Sequence, residues 1–298
     1  MLDLRAIQSL LARHGTRLGA PVRPLEIGGR RFDFNVRRAL MGVINLSTDS
    51  WYTESVCATP EQAIARGHLL AAQGADFVDI GAESSLPQAA RVDAQTQRER
   101  LLPVVRALSA AGVPVSVESY HPEVLEAAAQ AGARIFNLTG SRHEAETLAI
   151  ARRFDAAVVL CYVQGETVRQ VERFTFHDDM ASELEAHFRQ RLGRADAAGV
   201  SRCIVDPGLG FYYENLQDSA LRINHQLQTL LNTFRLHALG YPTLNILPHA
   251  PEIFGAAARR AAEPMFAVLA LLGGTHIVRT HELEVVAKVR DTLAVYQG

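Results

Sequence analysis

The sequence predicts an α/β fold, a single (β/α)8 barrel of the TIM type with an N-terminal helix and β-hairpin extension. Three observations carry that reading. Eight apolar, strand-like runs alternate with helical patterns, in about the length such a barrel needs. The runs are continuously apolar rather than alternating, as strands covered on both faces of a parallel sheet are. The rival architecture, a doubly wound open sheet, calls for a GxGxxG turn after the first strand, and none follows Leu46.

Residues 1–38 are expected to stand outside the barrel, and residues 39–298 to form it. A helix is predicted over 3–14, followed by two alternating runs in "RPLEIGGRRFDFN" about Gly28-Gly29, a hairpin suited to closing the barrel's bottom. The strands are then "LMGVINL" (40–46), "FVDIGAE" (77–83), "VPVSVES" (113–119) and "RIFNLTG" (134–140). They continue with "AAVVLCYV" (156–163), "RCIVDPG" (202–208), "PTLNILPH" (242–249) and "HIVRTHE" (276–282). Between the first two strands, Thr59 is placed to cap a helix that has Pro60 at its first position and Gln62 at the capping-box position. Gly74, Gly112 and Gly132 are placed to end helices. "ELEVVAKVRDTLAVYQ" supplies the eighth helix, and the apolar "EPMFAVLALLGG" before it suggests a homodimer face shared by the two.

Composition narrows the function classes. The chain has 298 residues, 48% of them hydrophobic, and a net charge of −2, which argues against broad attraction to nucleic acid or membrane. No apolar run is long enough to span a bilayer, and the early Asp3 in "MLDLRAIQSLLARHG" argues against a signal peptide. Cys57, Cys161 and Cys203, without CxxC spacing, are expected to be reduced thiols in a cytoplasmic protein. Cys161 reads as a small buried hydrophobe. Lys288 is the one lysine of the chain.

Active sites of such barrels sit at the C-terminal ends of the strands. Here those ends carry Asn45, Ser47 and Asp49; Asp79, Glu83, Ser84 and Ser85; Glu118, Ser119 and His121; Asn137 and Thr139. The remaining four carry Tyr162 and Gln164, Asp206, Asn245 and His249, and Arg279 and His281. The apolar half of "MGVINLSTDS" is barrel wall, and its polar half begins a pocket. Glu118, His121, Asp206, His249 and His281 invite a transition-metal reading, but no HxxxH or HExxH spacing supports one.

These strand ends resemble those of dihydropteroate synthase and the wider pterin-binding barrels. "MGVINLSTDS" resembles M-G-I-x-N-x-T-P-D-S, and "GADFVDIGAESS" resembles G-A-D-I-I-D-I-G-G-E-S-T. "VSVESY", "IFNLTG", "VDPGLGF" and "IVRTHE" resemble I-S-I-D-T, I-N-D-V-S-G, I-D-P-G-I-G-F and R-V-H-D. The resemblance implies an enzyme joining a hydroxymethyl-dihydropterin diphosphate to an arylamine. It implies Asp206, Asn137 and Glu118 as pterin contacts, and Asn45, Arg279 and His281 as the diphosphate site. Mg2+ would accompany the diphosphate, with Asn45 facing it. Ser47, Asp49, Ser84 and Ser85 would belong to loops over the arylamine, and Asp206, Arg279 and His281 would carry the catalysis.

The departures from the family pattern cluster at the same strand ends. The Asp of I-D-T is Glu118, the Asp after the Asn is Leu138, and Ser85-Leu86 replaces Thr-Arg. Aligned on Gly255, "HAPEIFG" replaces S-R-K-S-x-x-G, so Pro251 stands where the family has its pterin-contacting lysine. Lys288 lies in the last helix, too far to substitute, and His249 is the nearest compensating residue. A divergent synthase is therefore expected, with a modified arylamine as in methanopterin biosynthesis or with a partner protein. The alternatives are a non-catalytic pterin-binding accessory or regulatory paralogue, and a pterin-dependent methyltransferase.

Overall fold

A computed structural model describes residues 1–47, 55–84, 86, 89–211, 213–216, 218–255 and 260–296. Asp49 and Ser85 lie outside the described residues. After helix α1 (Leu4–His14), strands β1 (Leu25–Ile27) and β2 (Arg30–Phe32) form an antiparallel hairpin. Eight parallel strands follow: β3 (Ala39–Asn45), β4 (Phe77–Gly81), β5 (Val115–Glu118), β6 (Ile135–Leu138), β7 (Ala157–Cys161), β8 (Cys203–Asp206), β9 (Leu244–Ile246) and β10 (Ile277–Thr280). They hydrogen-bond in the order β8-β7-β6-β5-β4-β3-β10-β9. A parallel bridge between Val205 and Thr243 joins the two ends of this order and closes the barrel.

The helices between strands are α2 (Pro60–Ala72), α3 (Ala94–Ala110), α4 (Pro122–Ala131), α5 (Glu144–Phe154), α6 (Met180–Ala197) and α7 (Ser219–Asn232). The short α8 (Pro251–Phe254) and α9 (Ala262–Leu272) follow β9, and α10 (Leu283–Ala294) follows β10. Thr59 caps α2 by accepting from the Gln62 amide at 3.3 Å, while Gln62 reaches back to the Ala58 amide at 2.9 Å. Gly74, Gly112 and Gly132 take positive φ just past their helices. None of the described helices is long and apolar enough to cross a membrane.

Side chains divide by strand parity. Ala39, Met41, Phe77, Ile135, Ala157, Val159, Ile204, Leu244 and Ile277 pack inside the barrel with Leu25, Ile27, Phe32 and Phe34 of the hairpin region. The hairpin thus covers the N-terminal end of the barrel. The opposite parity, including Leu40, Ile44, Val78, Ile80, Val117, Phe136, Leu160, Val205 and Val278, faces the helices in the larger core. Along each strand the inward register passes from this apolar floor to the polar residues of the C-terminal mouth.

Candidate active site

The pocket at that mouth continues the inward register. Asn45 ends β3, Glu118 ends β5, and Asn137 lies on β6; Cys161 and Asp206 end β7 and β8, and Arg279 lies on β10. Thr139, His249 and His281 add polar walls, while Leu209, Phe211, Ile246 and Leu247 supply an apolar side. Cys161 and Asp206 are direct neighbours across the β7–β8 register.

Arg279 holds the floor together. Its Nε and Nη2 donate to Asp79 Oδ2 at 2.9 and 2.8 Å, and Nη2 lies 4.0 Å from Glu118 Oε2. Asn137 Nδ2 donates to the same Asp79 oxygen at 3.1 Å, and Thr139 donates to Glu118 at 3.3 Å. Burial pushes the Glu118 carboxyl up to about 7, against the pull of Arg279 and with a further push from Asp79. Burial likewise raises Asp206 to about 6, opposed by the Gly208 amide and Arg279. The Asp206 carboxylate is fixed by the Gly208 N–H at 2.8 Å. That turn requires glycine: Gly208 has φ +79°, and a Cβ there would meet the Tyr162 carbonyl at 2.3 Å.

His281 is a neutral imidazole here. Burial lowers its pKa well below the usual value, and the neighbouring Arg279, His249 and Arg66 lower it further. It can donate or accept at an anion site without adding charge. Glu263, at the start of α9, is buried beside it. Burial raises this carboxyl to about 7 even though Thr280 and the amides of His281 and Glu282 donate to it. His249 Nε2 stands 3.6 Å from Glu263 Oε1.

Several sequence expectations need correction. Tyr162 faces outward against His187 and Phe174, and it is Cys161 that lines the pocket, next to Asp206 across the register. Asn245 points to Thr233 and Thr275 in the helical layer, and Ser119 to Gln97 of α3. Leu138 is buried in the outer core, so that departure removes no group from the pocket. Ser84 lines the pocket beside Leu86, whose amide donates to Ser84 Oγ at 3.2 Å. Ser47 is buried at the end of the first strand, outside the pocket lining. Pro251 opens α8, and Lys288 pairs with Glu284 on α10.

Three further residues shape the site: Asp79, named from sequence only as a strand end, and Glu263 and Arg169, which sequence reasoning did not single out. Asp79 positions Arg279, and Glu263 sits behind His281. Arg169, after β7, donates to the carbonyls of Ser84 and Ala89 and lies 3.2 Å from Glu83, fastening the second loop. Asp79 shares inward parity with Phe77, a clue available in the sequence.

The family model for pterin binding enzymes matches residues 41–281, the span from the first barrel strand to His281. The chain belongs to the pterin binding enzyme family. It is 29% identical over 285 residues to a dihydropteroate synthase of Synechocystis sp., covering 91% of this chain and 95% of that protein. It is 31% identical over 260 residues to dihydropteroate synthase type-2 of Escherichia coli, covering 86% and 94%. The crystal structure of Thermus thermophilus dihydropteroate synthase in complex with 4-aminobenzoate matches with a TM-score of 0.77 at 30% identity, covering 92% of this chain and all of that one. The same enzyme in complex with 6HMPPP matches at 0.73 and 31%, with the same coverage. This pterin-binding protein is thus dihydropteroate synthase-like along its whole barrel.

Proposed function

We propose that this protein binds a reduced pterin on the wall formed by Asp206, Asn137 and Glu118 and transfers its hydroxymethyl carbon to an arylamine. The observation that carries the reading is the buried Asp206 carboxylate beside Asn137 at the pocket floor. A carboxylate facing a ring amidine-type edge accepts two parallel hydrogen bonds. In the reaction the C–O bond to diphosphate breaks with its electron pair, the arylamine nitrogen forms the C–N bond, and the amine loses a proton. Asn45, Arg279 and His281, which line the same pocket, are the groups proposed to receive the leaving diphosphate. The 4-aminobenzoate and 6HMPPP complexes of the T. thermophilus relative support substrates of these two classes.

Mg2+ fits one side of this site and not the other. The Asn45 amide nitrogen donates to Ser55 Oγ at 2.7 Å, which turns its carbonyl oxygen into the hard donor that Mg2+ takes. The His281 imidazole does not suit that ion. Bound with the substrate, Mg2+ would neutralise charge on the departing diphosphate.

The arylamine is proposed to be a modified one, as in methanopterin biosynthesis, because Leu86 and Pro251 replace the family's loop arginine and lysine. The same two replacements favour the second reading, a pterin-binding accessory paralogue. A partner protein or a homodimer through α9 and α10, where Leu272 and Val285 are exposed, belongs to the same proposal. The test is calorimetry with a reduced pterin, followed by turnover of the pterin diphosphate with 4-aminobenzoate and with extended arylamines. Pterin binding with faster turnover of an extended amine is expected. Binding without turnover of any amine selects the accessory reading, and absence of pterin binding overturns both.

A further inference from the structure

Three side chains far apart in sequence meet behind the anion end of the pocket. His249 follows β9, Glu263 opens α9 and His281 follows β10; all three are buried. One nitrogen or carboxylate oxygen from each lies within 4.8 Å of the other two. The imidazole rings are 5.7 Å apart between centroids. His249 and His281 also line the pocket.

The carboxylate is oriented before anything binds. Glu263 Oε2 accepts from the Thr280 hydroxyl and from the N–H groups of His281 and Glu282 at 3.1 and 3.2 Å. Its Oε1 shares the His281 N–H at 3.3 Å and is turned to His249 Nε2 at 3.6 Å, beyond hydrogen-bond range. With metal–ligand bonds of about 2.0–2.2 Å, two ligands at a tetrahedral angle sit roughly 3.4 Å apart. The observed gap fits a ligand–metal–ligand edge better than a direct bond. Three arginines stand nearby, and each has an acceptor of its own. Arg260 pairs with Glu282 at 2.6 and 2.7 Å, Arg279 with Asp79, and Arg66 donates to the His281 carbonyl at 3.2 Å.

We propose that His249, Glu263 and His281 form a divalent transition-metal site of the Zn2+ class, with an open coordination position facing the pterin pocket. Two imidazoles and one carboxylate are the donor set of catalytic zinc sites, and they select against Mg2+ and Ca2+. Thr280 and the two backbone amides supply the outer hydrogen bonds that hold the ligating carboxylate. The metal would return positive charge to the end of the pocket where Pro251 has replaced a lysine. That role toward a diphosphate rests on the pterin reading above; the metal site itself does not.

The test uses full-length, tag-free protein stripped with chelator and titrated with Zn2+ or Co2+, following bound metal by elemental analysis and the visible spectrum of Co2+. One equivalent per chain with a tetrahedral Co2+ spectrum is expected. His249→Ala and His281→Ala should each weaken Zn2+ binding at least about a hundredfold, the upper range for losing an outer-shell partner alone. His121→Ala, away from the cluster, should leave it unchanged. Glu263→Gln removes a backbone anchor as well as a ligand, so the histidine variants decide the matter, with circular dichroism confirming their fold. Substoichiometric binding, or equal affinity in both histidine variants, overturns the site. A chain that binds pterin but no Zn2+ overturns this site alone; one that binds Zn2+ but no pterin overturns the pterin reading alone.

Discussion

Glu118→Gln should make the protein more stable than the unaltered chain at pH 8 and equally stable near pH 4.5. In the folded protein the Glu118 carboxyl is pushed up to about 7 from its ordinary 4.5, with burial as the main cause. The folded state therefore binds this proton more tightly than the unfolded chain. Below pH 4.5 the group is neutral in both states and carries no cost. As pH rises from 4.5 through 7 the unfolded chain ionises first, and stability falls. The gap of about two and a half units corresponds to about 3 kcal/mol once both states are ionised. Glutamine keeps the shape and the acceptor for Thr139 and cannot ionise, so it removes the loss. Arg279 keeps its two contacts to Asp79 in the variant.

The assay is unfolding of both proteins between pH 4.5 and 8. At about 2 °C per kcal/mol for a chain of this size, the variant should melt about 6 °C higher at pH 8. Parallel pH profiles would show that Glu118 is not held protonated by burial. A variant less stable at pH 8 would show that attraction to Arg279 outweighs burial and that Glu118 is ionised in the folded chain.

Asp206→Asn turns one acceptor into a donor at the pocket floor and should weaken pterin binding tenfold or more, read by calorimetry. In the unaltered chain, pterin affinity should rise as pH climbs through about 6, where Asp206 ionises; a flat profile between pH 5 and 8 removes the carboxylate contact. Gly208→Ala forces a side chain into left-handed backbone against the Tyr162 carbonyl and should cost about 1–3 kcal/mol in denaturant unfolding. An unchanged midpoint would contradict that. Pyrophosphate with Mg2+ should bind between Asn45, Arg279 and His281 in crystals, and density elsewhere would reassign the anion site.

The architecture was legible because its signals are local. Thr59, Pro60 and Gln62 announce α2, and Gly132 ends α4 with a φ that few other residues adopt. The direction of individual side chains was not legible. A strand of a parallel sheet is apolar on both faces, so "VVLCYV" does not reveal whether Cys161 or Tyr162 faces the lumen. The answer comes from register: Cys161 is paired with Asp206, and Tyr162 falls on the helical side. The same parity sends Asn245 and Leu138 outward. Glu263 was hidden for another reason. It opens an otherwise apolar helix and reads as an N-terminal acidic residue, and only the turn after β10 reveals that its carboxylate accepts from the amides of residues 281 and 282.

The charge balance of the pocket bears directly on Pro251, where the sequence resemblance implies a lysine in the family. Asp79, Glu118 and Asp206 surround one arginine, and that arginine is committed to Asp79 at 2.8–2.9 Å. His281 adds no charge, because burial and Arg279 keep it neutral. Among the described residues of the pocket floor, a diphosphate therefore meets donors and an arginine that is already paired. Removing one preorganised electrostatic group from an active site costs about 10²–10³ in rate. Protonation of Glu118 near neutral pH relieves part of the imbalance, yet it supplies no cation. A divalent ion at His249, Glu263 and His281 would supply one at the right end of the pocket, and it would also explain why a carboxylate as deeply buried as Glu263 is oriented by three donors, one of them shared by both oxygens, with Oε1 also turned to an imidazole.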